Sequence, residues 1–238
     1  MSQILKVNSN TDAVLAKVRK VLCAGGVIAF PTDTFYALGV DPFNTEAVNR
    51  LFEWKNRESN KPLILLINSK AQLKSLVKEI NPAHSALMQH FWPGPLTLLF
   101  EPRSIIPKNV LAGSKKIAIR HPGNSIAVNL ISALGQPITA PSANLSGEPP
   151  PATAIQVQHS FGNKVDLILD GGACLGGEPS TLIDAVETPV RIVRQGAILF
   201  SEIKKSLHNL TPLASSEVRG WFMGPALTSL KSNAFKIP

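Results

Sequence analysis

A chain of 238 residues with 44% hydrophobic content and no low-complexity tract can bury a sizeable core, which excludes general disorder and fits one domain or one domain with an appendage. The formal charge is +8 although charged residues make up only 17% of the chain, so the excess arises from scarce acids. Two cysteines without CxxC or metal spacing exclude a disulfide framework, and no apolar run nears the ~18 residues that span a bilayer, so the reading is a cytoplasmic protein with no membrane partner.

In chain order, "TDAVLAKVRKVLCAGG" places Val14, Leu15, Val18, Val21 and Leu22 on one helical face, with Cys23 on the same face, Thr11 as N-cap and Gly25 as the stop. "VIAFP" reads as a short buried strand ended by Pro31. A second helix begins near Asn44 or Thr45, buries Val48, Leu51 and Phe52, and ends at the cationic stretch "KNRESNK", after which "LILLI" is a strand. Asn81 and Pro82 open a helix to Phe91, "WPGP" makes a turn, and "LTLLF" is a further strand. Then come the strand "KIAIR", a helix from Asn124 to Leu134 and the strand "PITA". The loop "PSANLSGEPPP" leads to a helix near 153–161, the strand "DLILD", the loop "GGACLGGEPS" and strands near 181–186 and 190–194. Interleaved strands and helices of this kind predict an α/β fold built on one mixed, twisted sheet over residues 1–205. The tail 206–238 is too short for its own core; it carries Trp221, Phe222 and Met223 and is expected to dock or to be partly disordered.

Between Glu101 and Glu148 there is no carboxylate, whereas Arg103, Lys108, Lys115, Lys116 and Arg120 lie there. That imbalance predicts a positive surface region suited to a nucleotide or nucleic acid. The common signatures of catalysis are missing: no GxxxxGK[ST], GxGxxG, GxSxG or HExxH occurs. What remains are loops rich in hydroxyls, amides and cations, groups that bind oxyanions and small polar substrates. Lys55, Arg57 and Lys61 crowd the end of a helix, where one cation would suffice for its dipole. Thr32 and Thr34 are either turn formers or ligand contacts; so are Ser142 and Asn144. Arg120, at the end of an apolar strand, is either a snorkelling edge charge or an anion partner. His121 and Cys174 are assigned to structure.

Taken in order, "GGVIAFPTDTFYALG", "KNRESNKPL", "WPGPLTLLF", "IAIRHPG", "APSANLSGEPPPA", "STLIDA" and "VRIVRQGAI" closely resemble the YrdC/TsaC-like family of threonylcarbamoyl-AMP (L-threonylcarbamoyladenylate) synthases over roughly residues 10–205. The resemblance implies a YrdC-like twisted, mostly open mixed sheet flanked by helices, with a concave positively charged cavity. It implies a nucleotidyltransferase that condenses L-threonine, bicarbonate and ATP to threonylcarbamoyl-adenylate and pyrophosphate. A downstream transferase then modifies adenosine 37 of tRNAs reading ANN codons. Carried over by position, Lys55 and Arg57 are catalytic; Lys55, Arg57, Lys61, Ser142, Asn144 and Arg194 bind ATP; Thr34, Arg120 and Ser180 bind threonine. Mg²⁺ is expected mainly on the ATP phosphates, with no dedicated protein ligands. Ala37, Glu58, Leu66 and Asn124 depart from the family's usual residues. The competing reading is a non-catalytic module that holds double-stranded RNA by its phosphates.

Overall fold

The computed structural model describes residues 2–7, 11–56, 61–123 and 126–208. The expectations placed on Arg57 and Glu58, on a helix start at Asn124 and on the tail beyond residue 208 lie outside the described residues.

The elements are β1 (Gln3–Lys6), α1 (Thr11–Cys23), β2 (Ile28–Pro31), β3 (Tyr36–Gly39), α2 (Thr45–Trp54), β4 (Ile64–Leu66), α3 (Lys70–Leu76), α4 (Pro82–Phe91), β5 (Leu96–Phe100), α5 (Lys108–Leu111), β6 (Ile117–Arg120), α6 (Ile126–Leu134), β7 (Ile138–Thr139), α7 (Ala154–Phe161), β8 (Leu167–Asp170), β9 (Thr181–Asp184), β10 (Arg191–Arg194) and α8 (Phe200–His208). Local chemistry explains the helix starts. Asn44 and Asn81 accept the backbone N–H of Ala47 and His84, and Thr153 with Gln156 closes a capping box.

The strands form a four-stranded sheet, β1-β8-β2-β3, and a six-stranded sheet, β10-β9-β5-β6-β4-β7, each mixing parallel and antiparallel pairs. The expected single sheet is thus divided, and the division falls where proline interrupts the ladder. Along the seam, Thr139 N–H donates to Val40 O (3.2 Å), Leu38 N–H to Pro141 O (2.8 Å) and Ala143 N–H to Tyr36 O (2.8 Å). Pro141 has no N–H to return to Leu38. The Thr139 hydroxyl supplies that missing bond, donating to Leu38 O at 3.3 Å. Both sheets therefore run on as one surface across the seam.

Side-chain alternation sorts this surface into two faces. In β2, Ala29 belongs to the larger core cluster and Ile28 and Phe30 to a second one with α1 and α6. In the six-stranded sheet, Ile117 and Ile119 of β6 and Leu96, Leu98 and Phe100 of β5 enter the larger core. Thr97 and Arg120, which face each other in the β5–β6 register, are left on the opposite face.

Five elements differ from the sequence reading. β1, β3 and α5 are only four residues long, and α3 is a seven-residue helix started by the Ser69 cap. α8 crosses the boundary placed at residue 205: Ile203 and Leu207 are buried in the main core, so residues 206–208 continue the domain. Cys23 ends α1 exposed rather than on the buried face. Within the basic stretch Lys116 meets two acids, Asp184 (2.7 Å) and Glu187 (3.0 Å), while Arg103 is exposed and keeps its charge, its Nε donating to the Lys74 and Val77 carbonyls.

Candidate active site

The β2–β3 turn, the loop 140–150 and residues 179–180 with Arg194 enclose a cavity of about 290 Å³ over the non-core face of the six-stranded sheet. That volume is at the small end of the ~300–1,000 Å³ seen for ligand pockets. Seven polar residues singled out in the sequence line it: Thr32, Thr34, Arg120, Ser142, Asn144, Ser180 and Arg194. Ala37 and Leu66, two of the departures from the family pattern, are also in its wall. Lys55 and Lys61 are not among its lining residues.

Arg120 ends β6 and is only 5% exposed. Its Nε donates to Gly94 O (3.0 Å), Nη1 to Thr34 Oγ1 (3.2 Å) and Nη2 to Asp33 Oδ1. The second Asp33 oxygen accepts the Gly123 N–H at 3.0 Å. A guanidinium carries five N–H donors, so these contacts leave one on each terminal nitrogen for a ligand. Burial pushes the guanidinium pKa down and the Asp33 charge opposes it; the group remains a cation.

Thr34 is buried and shares a hydroxyl contact with Thr32 (3.1 Å), while its carbonyl accepts the Gly176 N–H at 3.1 Å. Tyr36 donates its hydroxyl to Gly172 O (2.8 Å), and burial raises its pKa to about 12. The glycine-rich stretch 171–177 is thereby tied behind the turn that presents Thr34. Cys174 sits in this stretch; burial raises its pKa, which agrees with a structural thiol.

Ser180 is buried directly before β9. Its Oγ shares a hydrogen bond with Thr97 Oγ1 (2.8 Å) and accepts from Arg194 Nη2 (3.1 Å), which also donates to Ser180 O (2.8 Å). Gly196 makes this approach feasible: a Cβ there would stand 2.1 Å from Pro179 O. Partial burial and, second, the like charge of Arg120 lower the Arg194 pKa. The cavity wall thus combines two guanidiniums with one carboxylate, Glu148.

Asn144 is 8% exposed and gives both amide hydrogens to the protein, to Leu145 O (2.8 Å) and Glu148 O (2.6 Å). Those two carbonyl partners fix which end of the amide is nitrogen. Its buried Oδ1 has no hydrogen-bond partner among the described residues. Lys55 lies behind the same loop, 2% exposed, its ammonium donating to Ser142 O and Asn144 O.

Asp33 and Thr97 were missed as site residues. Asp33 is the sole acid between Asp12 and Asp41, set directly after a buried strand, and Thr97 is the one polar residue of "LTLLF". Each is the kind of isolated polar group that a buried environment pairs.

Comparison with known proteins matches residues 20–196 to the Sua5/YciO/YrdC family model, described as telomere recombination. A threonylcarbamoyl-AMP synthase of Pyrococcus abyssi is 42% identical over 181 residues, 76% of this chain and 53% of that protein. One of Marinobacter nauticus is 37% identical over 175 residues, 72% of this chain and 91% of its own. The structure of P. abyssi Sua5 complexed with L-threonine superposes with a TM-score of 0.83 at 38% identity, covering 87% of this chain and 61% of that one. Escherichia coli YciO gives 0.76 at 26% identity, covering 83% and 97%. The chain spans about half the length of the first curated relatives it matches: 53%, 57% and 50%.

Proposed function

The chain belongs to the Sua5/YciO/YrdC family, and from that premise we propose that it is a threonylcarbamoyl-AMP synthase, a nucleotidyltransferase acting on L-threonine, bicarbonate or CO₂, and ATP. The observation that carries this reading is the buried Arg120, set beside Thr34 in a cavity whose wall also offers Arg194 and the Ser142–Asn144 loop. A guanidinium with free N–H groups in a desolvated site suits a small carboxylate. The relatives' name and the threonine complex of P. abyssi Sua5 support threonine as its owner.

The chemistry needs no side-chain nucleophile. The threonine amine adds to the carbon of CO₂ and loses a proton, giving a carbamate. A carbamate oxygen then bonds to the α-phosphorus while the bond to the bridging oxygen breaks, its electron pair leaving with pyrophosphate. An anion approaches a polyanion in that step, so catalysis is positioning and charge neutralisation. Arg120, Thr34 and Ser180 orient the threonine; Ser180, bound to Thr97, also accepts from Arg194, the ATP-side cation. Arg57 and Lys61 are assigned to the phosphates.

Among the described residues no group of three His, Cys, Asp or Glu could hold a metal ion. A magnesium ion arriving on the ATP phosphates suits this site, since Mg²⁺ keeps its waters and takes few protein ligands. When bound it would screen the phosphate charge, carried by the phosphates themselves. The adenylate is a mixed anhydride, to be consumed by a threonylcarbamoyl transferase acting on tRNA in the cytoplasm.

A duplex-RNA module is not favoured: RNA phosphates require surface cations, whereas Arg120 is buried against Asp33. The deciding test is pyrophosphate release from ATP. The proposal expects it to require both threonine and bicarbonate; equal release with both omitted would overturn it.

A further inference from the structure

We propose that Lys55 is a positioning residue that braces the loop carrying Ser142 and Asn144, rather than the phosphate contact its place in the cationic stretch suggests. The inference rests on the reading of the cavity as an ATP site. Lys55 is the C-cap of α2, its own N–H bonded to Leu51 O at 3.2 Å. From that fixed point it holds the loop three times: its ammonium donates to Ser142 O and Asn144 O, and its carbonyl accepts the Ser146 N–H at 3.0 Å. Two of its three N–H donors are therefore spent on backbone carbonyls. At 2% exposure the side chain lies on the loop's inner side, while Ser142 and Asn144 line the cavity on the other.

The loop has its own reason to need such a brace. It follows the seam proline, where the sheet ladder lapses, and beyond Ala143 N–H to Tyr36 O the Lys55 bonds attach it to an independent element. A polar site residue must be held within fractions of an ångström to act, and the group supplying that hold need not touch the substrate. Asn144 locks its amide hydrogens within the loop, so wherever Lys55 sets the loop, it sets the Oδ1 acceptor too.

The test is a double-mutant cycle in the full chain with Lys55→Met, which keeps most of the unbranched stem and removes the donors, and Asn144→Ala. A brace predicts that Lys55→Met raises the ATP KM about tenfold and moves the threonine KM less than about twofold. It also predicts that the double variant is no more than about twofold worse than the worse single one, because both act through one loop. Effects that multiply would show that Lys55 meets the nucleotide independently and would overturn the inference, as would a threonine KM rising in step with that for ATP. Should Lys55→Met not fold, Lys55→Arg decides: a phosphate contact expects near-normal ATP KM because the charge is kept, whereas a brace expects it raised because the guanidinium does not fit. If the unaltered protein makes no adenylate, the reaction assignment falls, and the brace is then judged by amide exchange of Ser146, which Lys55→Met or Lys55→Arg must accelerate without changing that of the β-sheet core.

Discussion

Asp33 and Arg120 form a buried ion pair across 87 residues of chain, joining the β2–β3 turn to the end of β6. The pair holds the guanidinium in place before any ligand arrives, and Asp33 is its only carboxylate partner among the described residues. Removing one member of a buried pair leaves an uncompensated charge, which typically costs about 3–5 kcal/mol. Asp33→Asn should accordingly lower the melting temperature. It should also respond more strongly to threonine than the unaltered protein does, because the ligand's carboxylate replaces the missing anion. Thermal melts with and without threonine check this; an equal threonine shift in both proteins would show that Arg120 does not meet the substrate carboxylate.

Arg120→Lys keeps the charge and loses the planar fork. Its cost should fall on threonine, with KM raised by roughly 10- to 100-fold, equivalent to the ~1.5–3 kcal/mol of a hydrogen bond to a charged group. The ATP KM should stay within about twofold. Steady-state kinetics with each substrate varied in turn decides; matched losses for both substrates would indicate collapse of the cavity rather than loss of one ligand.

Much of this arrangement was legible in the sequence because it follows from alternation. "IAIR" and "LTLLF" announce which residues enter the core, and Arg120 is left over on the other face. The loops that line the cavity could likewise be picked out by their hydroxyl and amide content. Long-range pairing could not. Nothing local says that the Lys55 ammonium seeks carbonyls 87 and 89 residues away, or that Asp33 is the counter-charge of Arg120. The seam was hidden for a related reason: whether Pro141 breaks a sheet depends on what lies opposite, and Thr139 repairs the break with a side chain. Short elements such as α5 and β1 carry too few residues to show a period.

The buried His84 gives the protein a pH-dependent stability. Its Nδ1 accepts the Asn81 N–H (3.4 Å), so the ring is neutral with its hydrogen on Nε2, donated to Leu99 O (2.9 Å), and the ring stacks on Phe100. Burial lowers its pKa, and that of His121 also. Below the ordinary histidine value of about 6.5 the unfolded chain binds protons that the folded chain resists, so stability is full above that pH and declines as pH falls through it. Each histidine contributes a slope of at most about 1.4 kcal/mol per pH unit. Urea midpoints between pH 7.5 and 5.5 should fall, and His84→Gln should flatten the fall while His121 retains its share. A slope unchanged by His84→Gln would contradict the neutral buried ring.

If the chain is the synthase proposed, its cavity joins threonine, inorganic carbon and ATP in one product. Isotope-labelled bicarbonate tests it most directly: the protein is incubated with label, threonine and ATP, and the nucleotide product is analysed by mass spectrometry. The expected product is an adenylate that contains both threonine and the labelled carbon, formed in step with pyrophosphate. Pyrophosphate released without label in any threonine-containing adenylate would contradict it.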